Sequence, residues 1–114
     1  MVLNLQNASL KDRLLYYFGR RRAFRVEGDS MVPTLKNGDV VLIDERSRVE
    51  VGSVVLAHHP YKARTKIVKR VSAIDADGRL VLSGDNPAHS TDSRSFGTVT
   101  VESIIGCVVS RLRL

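Results

Sequence analysis

The sequence predicts a mainly β fold: one small antiparallel β domain, a partly open barrel or two packed sheets, with one short N-terminal helix. Three features predict it. Short apolar runs recur from Phe24 onward, the turn-forming pairs Asn37-Gly38 and Asp77-Gly78 punctuate them, and helical spacing is convincing only near the start. A chain of 114 residues has room for one hydrophobic core.

The helix comes first. Ser9 can cap it, and Asp12 falls at the third helical position, the spacing of a capping box. Leu10, Leu14 and Tyr17 recur at helical spacing with Leu15 and Phe18 alongside, and Gly19 ends the helix. The Leu14–Phe18 stripe is expected to pack on the β domain. The β runs follow at Phe24–Val26, Val40–Ile43, Ser53–Ala57, Thr65–Ile74, Leu80–Leu82, Thr98–Val101 and Ile104–Leu112. Asn37-Gly38 and Asp77-Gly78 read as hairpin turns. The division expected is a helical, basic segment over 1–23 and a β domain over 24–114. Gly84 to Phe96 lacks apolar periodicity, is rich in Ser, Asp, Asn and Pro, and reads as an ordered surface loop, a usual carrier of function.

Composition narrows the classes. With 43% hydrophobic and 26% charged residues the chain matches a soluble globular protein. A net charge of +6 favours anionic partners without selecting among them. Arg20-Arg21-Arg22, Arg25, Arg111 and Arg113 could contact phosphates, but aromatics are 5% and Trp is absent. A solvated basic face is the simpler meaning, so no specific nucleic-acid partner is expected. The same arginines beside Leu14–Phe18 allow weak peripheral contact with an anionic membrane. The apolar run Leu14–Phe18 is too short for a spanning helix, and its positive charges follow it, unlike a secretory signal. A cytoplasmic location is the expectation. Cys107 is the single cysteine, which excludes an internal disulfide and a multi-cysteine zinc site, and reads as a buried small hydrophobe. Adjacent His58 and His59 point to opposite faces of a strand, and His89 has no partner in the pattern, so no metal, cofactor or catalytic histidine is assigned.

Three segments carry chemistry: Gly28–Leu35, Lys69-Arg70-Val71 and Gly84–Arg94. Ser30 follows a strand, and Gly28 lets the backbone turn sharply and present the hydroxyl. Met31, Pro33 and Leu35 would anchor the far side of that turn in the core. A serine in a turn is ordinarily structural, so Lys69 decides. Thr65, Ile67, Lys69, Val71 and Ala73 share one strand face, apolar apart from Lys69. Lys69 therefore either guards a sheet edge or points into low-dielectric surroundings. In the second case desolvation disfavours the ammonium, and a neutral amine can take the serine proton. Ser-Lys pairs are a known variant of nucleophilic catalysis.

Together the segments resemble the boxes of the type I signal peptidase family of Ser-Lys proteases. Ser30-Met31-Val32-Pro33-Thr34-Leu35 is similar to its nucleophile box, Lys69-Arg70-Val71 to its base box, and Gly84-Asp85-Asn86 with Ser90 to Arg94 to its final box. Gly38-Asp39-Val40 fits the family's Gly-Asp segment, and the likeness covers roughly Phe24 to Val109. The resemblance implies Ser30 as nucleophile, Lys69 as general base and Ser90 as the hydroxyl that orients the amine. It implies Asp92 with Arg94, and Arg70, as structural support. The oxyanion would be held by backbone N–H groups of the Ser30 turn, with Gly28 and Met31 as neighbouring candidates, at about 2.7–4 kcal/mol per donor. Some family members place a hydroxyl donor two residues before the nucleophile, where this chain has Gly28.

Compared with membrane signal peptidases, the sequence shows no spanning anchor before the serine, and only Ser72–Ser83 separates the last two boxes. That compact plan resembles the bacterial maturation proteases of nickel-type superoxide dismutase. The resemblance implies a precursor protein with an N-terminal leader, the nickel superoxide dismutase precursor, as partner. Two rival readings are a self-cleaving repressor of the SOS-response class and a basic nucleic-acid-binding module. Against the first, no Ala-Gly or Cys-Gly pair precedes Ser30. The sequence leaves the oligomeric state open.

Overall fold

The computed structural model describes residues 5–17 and 19–112, without the Tyr17 side chain. Phe18 of the apolar stripe and Arg113 of the basic set lie outside the described residues. Helix α1 spans Leu10–Tyr17, and the Ser9 hydroxyl oxygen accepts the Asp12 N–H at 3.1 Å, as the capping pattern predicts. The stripe packs only in part: Leu15 is half-buried, but Leu14 is 50% and Tyr16 41% exposed, as is Leu10 before them at 74%. Asp12 explains the choice of face. It meets Arg21 Nε at 3.6 Å, and Arg21 in turn reaches Asp44 at 3.5 Å. Asp12 and half-buried Leu15 lie on the helix side opposite Leu10 and Leu14, so turning the acid inward turns those leucines out.

Six strands follow: β1 (Arg22–Arg25), β2 (Val40–Asp44), β3 (Val54–His58), β4 (Lys66–Ile74), β5 (Leu80–Ser83) and β6 (Ile104–Leu112). They form one open antiparallel sheet in the order β1-β2-β6-β3-β4-β5, so the two-sheet alternative gives way to a single sheet. The continuous apolar run of β3 shows why both faces are covered. Val54 and Leu56 join a core with Met31, Leu35, Val41 and Ile43, while Val55 and Ala57 join another with Val71, Leu80, Leu82 and Phe96. Register breaks at Leu42/Ile43 and Val71/Ala73 are bulges that bend their strands. The sheet curls enough that Phe24 of β1 and Ile67 of β4 line one cleft.

Asp77-Gly78 turns β4 into β5 as predicted, with Gly78 at φ 78° and its N–H donating to the Asp75 carbonyl. Asn37-Gly38 has a different job. Val26 N–H donates to Asp39 O and Gly38 N–H to Val26 O, each at 2.8 Å, closing the neck of an excursion between β1 and β2. Ser30 lies on that excursion. The run Thr98–Val101 is not a strand: Val99 alone bridges Leu80, and a 3-10 turn at Val101–Ser103 follows directly. Gly97, at φ 82°, and that turn leave too few extended residues for a ladder. Among the described residues no helix is long and apolar enough to cross a membrane.

Gly106 of β6 shows how tightly the middle of the sheet closes. A Cβ there would lie 2.6 Å from Ile43 Cγ2 and 2.8 Å from the Asp44 carbonyl oxygen. Gly106→Ala is therefore expected to destabilise the domain by about 1–3 kcal/mol, read as a lower urea midpoint at unchanged slope.

Candidate active site

β4 lies between β3 and β5, with Lys69 opposite Val55, so Lys69 is not an edge guard. Its side chain is buried, 5% exposed. Nζ donates a 2.8 Å hydrogen bond to Ser90 Oγ. Burial lowers the Lys69 pKa from the ordinary lysine value; nearby Asp92 opposes the shift, nearby Arg94 adds to it, and the net direction is down.

Ser30 is half-buried on the excursion after β1. Gly28 makes the approach with φ 81°, a conformation that disfavours a side chain, and its N–H donates to Asn37 Oδ1 at 2.8 Å. Asn37 thus takes the Gly28 N–H, whereas for the Ser30 and Met31 N–H groups no acceptor occurs among the described residues. Met31 and Leu35 anchor the turn in the core as expected, whereas Pro33 is exposed and Thr34 is buried in its place. The reason is polar. Thr34 Oγ1 donates to Asp85 Oδ2 at 2.5 Å, which turns the threonine inward and the proline out.

Ser30 and Lys69 line one cleft of about 120 Å³. Phe24, Val26, Ile67 and Val68 give it apolar walls, and Glu27 and Lys66 complete the lining. The final segment closes over the same region. Asn86 clamps the serine turn twice, its N–H donating to Ser30 O at 2.8 Å and its Nδ2 to Asp29 O at 3.0 Å. A Cβ on Gly84 would lie 2.2 Å from Ser90 Oγ and 2.7 Å from Ser30 O, so only glycine lets the two segments approach this closely.

Asp92 and Arg94 pair at 3.0 Å, but not as a simple surface bridge, because Asp92 is 1% exposed. Its carboxylate accepts from the Arg94 N–H, from Arg94 Nε and from the Gly84 N–H. These bonds cap helix α2 (Ser93–Phe96) and hold the loop that presents Ser90. Arg70 forms a two-pronged pair with Asp85, Nε to Oδ1 at 2.9 Å and NH2 to Oδ2 at 2.8 Å, and its NH1 donates to Gly52 O. Asp85 thus joins the lysine strand, the serine turn and the final loop. Sequence reasoning quoted Gly84, Asp85 and Asn86 without assigning them roles, and it gave Thr34 none. The signal was the Gly-Asp-Asn run itself, whose acid and amide need partners that only the fold identifies.

His58 is exposed, and His59 Nδ1 accepts the Tyr61 and Lys62 N–H groups at 3.1 Å each while its ring meets Phe96 edge-on. His89 is exposed in the final loop. Among the described residues no group of three His, Cys, Asp or Glu is arranged to hold a metal ion.

The serine turn and the buried lysine thus line one cleft of the antiparallel sheet. The chain belongs to the Peptidase S24-like family, whose model matches residues 8–109. It is 34% identical to mitochondrial inner membrane protease subunit 1 of Xenopus tropicalis, over 75% of this chain and 65% of that protein. The human subunit 1 is 30% identical over the same shares, and subunit 2 of Mus musculus is 34% identical over 68% of this chain and 58% of its own length. The chain thus spans about 65% of the length of the subunit 1 relatives.

The Arg70–Asp85 pair generates a stability prediction. Burial alone would raise the Asp85 pKa, but hydrogen bonds from Arg70 and Thr34 outweigh it and lower the value; Asp92 is lowered likewise, against its burial, by Arg94 and Gly84. Both carboxylates therefore contribute stability that is fully present above the unfolded-state value of about 3.9 and is lost as pH falls through their lower folded values. Asp85→Asn leaves the Arg70 guanidinium without its anion and is expected to cost about 3–5 kcal/mol at neutral pH. Urea titrations across the acid range should show the parent losing stability steeply and the variant more shallowly.

Proposed function

We propose that this protein is a serine endopeptidase in which Ser30 is the nucleophile and Lys69 the general base. The observation that carries the reading is the buried Lys69 amine, bonded to Ser90 Oγ at 2.8 Å and lining the same cleft as Ser30. In the proposed reaction Ser30 Oγ attacks the scissile carbonyl carbon and its proton passes to Lys69 Nζ. The negative charge formed on the carbonyl oxygen is met by N–H groups of the serine turn. Lys69 then returns the proton to the leaving amine as the acyl bond to Ser30 remains. Water, deprotonated by Lys69, completes hydrolysis and frees the serine. Ser90 positions the amine, and the apolar walls keep it dry, which favours its neutral form.

The substrate class proposed is a precursor whose N-terminal leader is removed. Relatives named as protease subunits support the peptidase reading. Those relatives are mitochondrial inner membrane proteases, whereas the sequence resemblance pointed to nickel superoxide dismutase maturation. On the sequence resemblance alone, the nickel enzyme's precursor is the first substrate to try. The test is incubation with that precursor, and separately with a panel of leader-bearing peptides, read by intact mass. A leader-sized loss that requires Ser30 supports the reading. Cleavage of peptides but not of the precursor would leave the peptidase and remove that substrate; a mass loss from this chain incubated alone would favour the self-cleaving alternative.

Ser30→Ala and Lys69→Ala are expected to lower kcat by three or more orders of magnitude at unchanged thermal stability for the serine variant, as for other paired nucleophile and base residues. Activity should rise with pH along the titration of the Lys69 amine, with a midpoint below the ordinary lysine value of 10.5. Ser90→Ala should lower kcat with little change in KM. Full activity in Lys69→Ala would overturn the assignment.

A further inference from the structure

Helix α1 is built inside out for a helix that only packs on a domain. Leu10 and Leu14, one turn apart, face solvent at 74% and 50% exposure. Helical geometry puts Lys11 on one flank of this stripe and Arg13 on the other, and both are exposed. Asp12 is the one acid between residues 5 and 26, against six cations, Lys11, Arg13, Arg20, Arg21, Arg22 and Arg25, of which Arg21 is half-buried between Asp12 and Asp44 and Arg22 pairs with Glu45. That acid is turned inward onto Arg21. The outward face is thus apolar along its crest and cationic along its borders.

We propose that this face is an interfacial docking surface for an anionic lipid bilayer. The leucines would enter the boundary between headgroups and acyl chains while the lysine and arginines meet the phosphates, the division of labour of helices that lie in the interface plane. Charge selects this occupant over a second copy of the chain. A copy would bring the same cations to the contact, and like charges side by side oppose association. The consequence for the cleft follows from chain continuity. α1 leads within a few residues into β1, whose Phe24 lines the cleft with Ser30, so docking would hold that cleft close to the lipid surface. The inference stands independently of the peptidase reading.

The test uses the full chain with extruded vesicles of phosphatidylcholine, with and without phosphatidylglycerol, read by co-sedimentation. Binding is expected to the anionic vesicles only and to weaken as salt rises. Lys11→Gln should weaken it by roughly fivefold, the effect of about one surface cation. Leu10→Ser with Leu14→Ser should abolish it, and because both positions are exposed, circular dichroism and the urea midpoint should match the parent. Three results would overturn the proposal: no binding to anionic vesicles, equal binding to neutral ones, or a double leucine variant that binds like the parent. Sedimentation velocity covers the other occupant, since a dimer lost in the leucine variant without vesicle binding would assign the face to a second copy.

Discussion

The constraint on which the rest of the structure depends is the removal of one amine from water. Lys69 sits on an interior strand with Val55 across from it, and Ile67 and Val71 follow the same side of β4. An ammonium placed there is costly, and burial lowers the lysine pKa from its ordinary value. The surroundings agree with that outcome. Its partner is the neutral hydroxyl of Ser90, and the nearest carboxylate, Asp92, is bonded to Arg94 and to the Gly84 N–H. A desolvated amine is chemically useful only when a proton donor is held close, and this explains why so much of the molecule is devoted to bringing distant segments to one place.

That convergence is made by polar groups that are themselves nearly dry. Thr34 from the serine turn, Arg70 from the lysine strand and Asp85 from the final loop meet at one carboxylate. Asn86, one residue further, clamps the backbone on both sides of the Asp29–Ser30 bond. Buried ion pairs are weak contributors to net stability because desolvation offsets much of the attraction. Here the pair's value lies in geometry. A guanidinium fork meeting a carboxylate has one good alignment, and every bond around Asp85 must be made together or not at all. Gly84 completes the arrangement by leaving out a side chain where Ser90 and the Ser30 carbonyl come together.

Much of this was legible in the sequence. Apolar alternation and Gly-containing turns located four of the strands closely, the first only at Phe24 and Arg25, and the last fully, since those signals are local. The Lys69 question was posed correctly by alternation and answered only by strand order, because whether β4 is an edge depends on β6 inserting between β2 and β3. Thr98–Val101 was read as a strand on its β-branched residues, yet a single bridge to Leu80 is all the chain there can form. Pro33 and Thr34 exchanged places for a similar reason: hydrophobicity favours the proline inside, and the hydrogen bond to Asp85 prevails. The α1 stripe was partly misassigned because periodicity identifies which residues share a face, not which face is covered. Asp12 and Arg21, an ion pair across a tight turn, made that choice.

The treatment of Asp92 bears on how far the Lys69 pKa falls: burial lowers it, and Asp92 opposes that shift without reversing it. As the carboxylate beside a buried amine, Asp92 favours the charged form. Asp92 is itself held in place: it caps α2 through the Arg94 N–H, holds Arg94 Nε at 3.0 Å and accepts the Gly84 N–H. Arg94 adds a positive charge near Lys69 that pushes the amine further toward neutrality. The same two residues therefore fix the Ser90 loop and act on the amine in opposite directions, Asp92 raising and Arg94 lowering its pKa. A loop closed only by apolar contacts could present Ser90 equally well, but it would leave the electrostatics of the amine to solvent.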